Sequence, residues 1–183
     1  INRSWSFTVV NYPTLPVQLG TALGSGTASQ PGFKIRTHQV EAGQPNSDSR
    51  AERQLAGLLG ANVADLAQAQ AGVFVETGVI NYNQDAPAGV GNFTADNGYE
   101  DKPIPGIPGT TGSTDNIAQE ILTYAEFPTA GLYRMGVNSD DGFKVSVAEG
   151  ASTNAVRLGI FDGGRGAADT IFLFNVGTPG VFP

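Results

Sequence analysis

At 183 residues, 40% of them apolar, the chain can build one domain with a sizeable core, or one domain with an appendage. Its 25 Gly and 11 Pro follow no short period, which excludes collagen and points to many turns. A formal net charge of −7 with only 15% charged residues leaves no basic stripe for a phosphate backbone, so nucleic acid is excluded as a partner and cations are favoured over anions.

The first element is a strand over Ser4–Val10, where Trp5, Phe7 and Val9 share a face at period two. Pro13 and Pro16 stop regular structure, and residues 20–32 (GTALGSGTASQPG) read as a flexible linker. Alternation resumes in a second strand from Phe33 to His38. Ser49 and Glu52 have capping-box spacing, and Ala51, Leu55, Leu58 and Leu59 form one stripe that Gly60 closes, which predicts a helix. A shorter helix is expected from Asn62 towards Gly72. Neither stripe carries a chemically active side chain, so both helices are packing elements.

Strands follow at Val73–Val75 and Val79–Tyr82, then a long loop-rich stretch, 83–116, that includes Lys102-Pro-Ile-Pro-Gly-Ile-Pro-Gly109. Gln119–Glu126 reads as a strand. Tyr133, Met135 and Val137 alternate into the turn Ser139-Asp140-Asp141-Gly142, and Phe143, Val145 and Val147 alternate out of it, which predicts a hairpin. Two more strands occupy 156–161 and 169–176; the last is apolar on both faces and is expected between two packed layers. The fold class expected is mainly β, an antiparallel β-sandwich or barrel with one or two short helices before it.

Little here can do chemistry. The absence of cysteine removes disulfides, thiolates and Cys-bound zinc. The one histidine, His38, lies in a strand with no second His or Cys near it and reads as structural. No Ser-His-Asp or Cys-His set is present, and the covalent neighbours Asp140 and Asp141 cannot flank a glycosidic bond as a glycosidase pair does, so the chain is read as no enzyme. No run is long enough to span a bilayer.

Asn138-Ser139-Asp140-Asp141-Gly142 is the site that stands out. Two adjacent carboxylates on an acidic chain suit a hard cation such as Ca²⁺, which takes six to eight oxygen ligands. Turn chemistry accounts for the same residues, because Asp and Asn bond their own backbone. Consecutive side chains of an ordinary strand point to opposite faces, so aiming both at one ion needs unusual backbone geometry. Asp162 and Asp169, on the Gly-rich loop Asp162-Gly-Gly-Arg-Gly-Ala-Ala-Asp169, are minor candidates beside a solvated loop. Trp5, Tyr82, Tyr99 and Tyr133 can stack on a sugar, though aromatics at strand spacing serve cores more often. Asp115-Asn116 reads as a turn or cap.

The stretch Phe127-Pro-Thr-Ala-Gly131-Leu-Tyr133-Arg-Met-Gly-Val137-Asn-Ser-Asp140-Asp141-Gly142-Phe143 resembles the core signature of the protective-antigen-type lectin domain, the PA-fourteen family. Val79-Ile-Asn-Tyr82 is similar to that family's opening strand, and Ile104-Pro-Gly-Ile-Pro108 to the loop after it. The resemblance covers roughly residues 74–183 and is specific around 127–143. It implies a β-sandwich of exported adhesins, toxins and glycan-binding enzymes. In the sugar-binding branch the two aspartates, here Asp140 and Asp141, are joined by a cis peptide and hold a Ca²⁺ that grips sugar hydroxyls. The sequence departs from the family after the turn, where Lys144–Glu149 lacks the usual Ile-Asp-Gly, and at Val181-Phe182-Pro183, where family members continue into a further strand and a ligand-bearing loop.

The expected function is a non-catalytic extracellular or cell-surface adhesion module that binds carbohydrate through a Ca²⁺ ion on Asp140 and Asp141. The alternative is a structural repeat of an extracellular filament or stalk, assembled by strand exchange without sugar binding. The expected partner is thus a glycan or a neighbouring protein subunit, in the second case within a head-to-tail homo-oligomer to which Ser4–Val10 is donated. Residues 1–45 read as an N-terminal strand, linker and second strand, as though ending a preceding unit, and 46–183 as the helix-led sandwich, incomplete at its C-terminus. The start at Ile1 reads as a processed protein or a piece of a larger one.

Overall fold

The computed structural model describes residues 4, 6, 10–24, 31–84, 98–149 and 155–183. The expected strand at Ser4–Val10, with Trp5, Phe7 and Val9, lies outside the described residues for the most part, as does the middle of the long loop. What is described is a mainly β protein of several antiparallel sheets, with one short helix and one 3-10 turn (Val17–Leu19).

The first sheet has β1 (Phe33–Gln39) in its middle, flanked by β2 (Phe74–Glu76) and β5 (Ile117–Leu122), both antiparallel to it. Ile35, Thr37 and Gln39 of β1 point inward and are buried, as the alternation predicted. A two-residue parallel pair, β3 (Tyr82–Asn83) with β4 (Lys102–Pro103), lies in the long loop. The remaining strands form antiparallel pairs: β6 (Ala125–Phe127) with β11 (Gly180–Phe182), β7 (Gly131–Ser139) with β10 (Ala168–Val176), and β8 (Phe143–Val147) with β9 (Val156–Phe161). Phe172, Phe174 and Val176 of β10, Val147 of β8 and Phe182 of β11 bury together with Leu15. Partly buried Tyr133, Val137, Phe143, Val145, Val156 and Leu158 pack around them. This is the sandwich core: the inner faces of β7–β10 and β8–β9 close on each other.

Several expectations change. The predicted hairpin is an arch: β7 and β8 are not paired, and the turn at 139–142 carries the chain from the β10 pair to the β9 pair. The strand expected at 119–126 is two strands in two sheets, with Thr123–Tyr124 as the crossover; the Thr123 hydroxyl donates to the Gly32 carbonyl at 2.8 Å. β10 is buried on one face only, since Ile171 on the other is 52% exposed.

The helix, α1, is Asp48–Leu55, capped by Ser47 rather than Ser49: the Ser47 hydroxyl accepts from Arg50 N–H at 3.2 Å. The chain leaves helical geometry after Leu55, with Gly57 at φ 74°, so Leu58 and Leu59 are not helical and Leu58 is 67% exposed. The helix buries Gln54 instead of a leucine stripe. No helix forms at 62–72. Asn62 Oδ1 accepts from Ala64 N–H and Asp65 Oδ1 from Ala67 N–H, local bonds that compete with the helical ladder. Val63 instead donates its N–H to the Gln39 carbonyl, and Asp65 its N–H to Gly106.

The segment expected as a stop and a linker is partly tied down. Leu15 donates to the Asn175 carbonyl, Asn175 N–H returns to Pro13, and Thr21 exchanges both backbone bonds with Val181. Residues 13–21 therefore lie along β10 and β11, and Leu15 enters the core. No helix among the described residues is long and apolar enough to cross a membrane.

Candidate functional site

Three segments meet at the tip of the arch: the turn Ser139–Gly142, the loop Asp162–Arg165 after β9, and the start of α1 from Asn46 to Arg50. Asp141 sits at φ 34°, in the left-handed region, which reverses the chain over two residues. Gly142 is needed because a Cβ there would stand 2.8 Å from the Phe161 carbonyl oxygen. The cis peptide among the described residues is Ile107–Pro108; the Asp140–Asp141 peptide is trans, against the expectation carried by the resemblance. The left-handed residue turns the chain without it.

Both carboxylates are anchored by main chain. Asp140 Oδ1 accepts from Asp141 N–H at 3.1 Å, and Asp141 Oδ1 accepts from Arg165 N–H at 3.1 Å. Neither aspartate is in an ion pair among the described residues. Asp140 is exposed and Asp141 half-buried. A Cβ placed on Gly164 would have Asp141 Oδ1 at 3.4 Å and Asn46 Nδ2 at 3.3 Å, so these two side chains share that corner.

The neighbouring charges belong to the helix junction. Asp162 Oδ1 accepts from Asp48 N–H at 2.8 Å, holding the first turn of α1, where a carboxylate is favoured. Lys144 on β8 bridges Asp48 and Glu52. Burial pulls Lys144 towards a lower pKa, but the Glu52 and Asp48 carboxylates outweigh it and hold the ammonium above its ordinary value. Arg50 donates to the Pro45 and Ile117 carbonyls, to Gln54 and to Asn46. Burial lowers its pKa, partly offset by the field of Asp141. Five carboxylates (Asp48, Glu52, Asp140, Asp141, Asp162) thus face three cations (Arg50, Lys144, Arg165), leaving the junction two charges negative.

The minor candidates scatter. Asp169 accepts from Asn138 across β7–β10 at 2.8 Å. Tyr133 belongs to the core, edge-on to Phe127 at 4.8 Å, with its hydroxyl donating to the Thr129 carbonyl. Tyr82 directs its hydroxyl to Glu76, and Tyr99 is exposed in the loop region. Trp5 is outside the described residues. Asp115 and Asn116 give their carbonyls to the buried amides of Gln39 and Gln54, and Asn116 is left-handed at φ 58°. The sequence reading missed Arg165 and Asn46; the signal for Arg165 was a lone cation in a Gly-rich loop.

Among the described residues no three His, Cys, Asp or Glu side chains group as a metal cluster. A hard cation here would draw on the two aspartates, on amide or carbonyl oxygens and on water, a donor set that suits Ca²⁺. Comparisons of the chain with protein-family models, with curated proteins and with solved structures give no match.

Proposed function

We propose that the chain is a non-catalytic adhesion module of the cell surface or extracellular space, in which Asp140 and Asp141 hold Ca²⁺ for carbohydrate binding. The observation that supports it is the pair itself: adjacent carboxylates at an exposed arch tip, each fixed by one backbone N–H, neither ion-paired among the described residues, in a junction with net negative charge. The resemblance of residues 127–143 to the PA-fourteen signature favours the same reading. One ion with a few hydroxyl contacts buries little surface, so affinity for a single sugar is weak and useful adhesion comes from many copies.

The test is titration calorimetry with Ca²⁺, and melting with and without it, for the wild type and for Asp140→Asn with Asp141→Asn. Binding and calcium-dependent stabilisation in the wild type alone support the site; equal behaviour of both proteins sinks it. Glycan-array signal that disappears with chelator ties the sugar to the ion, and signal that survives chelator detaches it.

A second reading, a structural repeat assembled by strand exchange, is favoured by β7. Its nine residues pair with β10 on one side and with no other strand among the described residues, and Leu132 on it is 55% exposed. An edge of this kind accepts an added strand.

A further inference from the structure

We infer that Arg165 is the positioning residue of the Asp140–Asp141 turn; its bearing on cation affinity rests on the function proposed above. Arg165 donates through its backbone N–H to Asp141 Oδ1 at 3.1 Å and through Nε to the Ser139 carbonyl at 3.1 Å. Nη2 reaches the Ser139 hydroxyl at 2.7 Å and Nη1 the Thr170 hydroxyl at 2.8 Å. The Ser139 hydroxyl passes the constraint on, donating to the Asp141 carbonyl at 2.8 Å. The guanidinium lies over the Phe161 ring of β9 at 4.1 Å and over the Phe143 ring of β8 at 5.9 Å, so the paired strands β8 and β9 give it an aromatic seat beside the turn.

The choice of acceptors matters. Every guanidinium donor described goes to a neutral oxygen, and what Arg165 gives the Asp141 carboxylate is its backbone N–H. Arg165 therefore fixes the turn's backbone, including the left-handed Asp141, without closing an ion pair on either aspartate. A planar fork can hold Ser139 twice and Thr170 once; a lysine ammonium cannot reproduce that geometry.

The test uses Arg165→Ala and Arg165→Lys. Ca²⁺ titration of the full chain should show affinity about 10-fold weaker or worse in both, the scale of an outer-shell orienting group, with circular dichroism and melting showing a folded protein. Folded variants that bind Ca²⁺ as the wild type does overturn the assignment. So does failure of both variants to fold, which would make Arg165 a general stabiliser. If the wild type itself binds no Ca²⁺, the proposed function fails and amide exchange decides this point separately. Faster exchange at Asp141 and Gly142, with β5 unchanged, supports positioning by Arg165, and unchanged exchange at the turn refutes it.

Discussion

Gln54 shows how a single polar side chain can organise a buried region. It is fully buried, its amide nitrogen donates to the His38 and Asn116 carbonyls at 2.6 and 2.8 Å, and its oxygen accepts from Arg50. Gln39, also fully buried, does the same for Ser113 and Asp115. Three of these four carbonyls, those of Ser113, Asp115 and Asn116, belong to the loop before β5, which has no ladder of its own. Gln54→Leu keeps the volume but takes a donor from the His38 carbonyl and leaves the Asn116 carbonyl with Val40 N–H alone, and a loss of roughly 1–3 kcal/mol is expected in urea unfolding. His38 gives a pH dependence. Burial, and then the repulsion of Arg36, set its folded-state pKa below the ordinary value. The unfolded chain binds the proton more readily, so stability is full above about pH 6.5 and declines as the pH falls through the folded value. Melting curves between pH 8 and 5 should show a decline that His38→Gln reduces; identical slopes for the two proteins would rule His38 out as the cause.

Two elements test whether local signals or observed contacts decide. Ser47 and Ser49 both precede Arg50-Ala51-Glu52, yet it is Ser47 that accepts from the helix. Ser47→Ala should cost about 1 kcal/mol and Ser49→Ala much less; the reverse order in thermal melts would restore the cap two residues on. The arch is checked by cross-linking. Asn138 lies opposite Asp169, whereas the hairpin would have set it opposite Phe143. Cysteines at 138 and 169 should oxidise to a disulfide more readily than cysteines at 138 and 143. Peptide mapping that finds the opposite preference would bring the hairpin back.

For the molecule as a whole, the described strands leave β7 paired on one side only, with Leu132 exposed on its outer face. Assembly by strand exchange predicts that removing residues 1–12 lowers the mass seen by light scattering. A truncated chain of unchanged mass and stability would leave the adhesion reading without an assembly step. The two arrangements also differ in calcium: adhesion through Asp140 and Asp141 is lost on chelation, and strand pairing is not.

Where most strands lie is legible in the amino-acid sequence. Period-two alternation is a property of neighbouring residues, so β1, β7 and β8 were legible from Phe33-Lys-Ile-Arg, Tyr133-Arg-Met-Gly-Val and Phe143-Lys-Val-Ser-Val, and β10 from its apolar run Ile171-Phe-Leu-Phe. The sequence also marked the Asp140–Asp141 turn, because Asp and Gly there have local backbone reasons. Which strands pair depends on long-range packing. A Ser-Asp-Asp-Gly turn serves an arch as well as a hairpin, and the choice rests on contacts between β7 and β10, some thirty residues apart, which no local pattern encodes. The same holds for α1, whose leucine stripe predicted its packing face until the carbonyls of His38 and Asn116 needed Gln54. It holds for Arg165, whose four acceptors on Asp141, Ser139 and Thr170 come together only when the sandwich has closed.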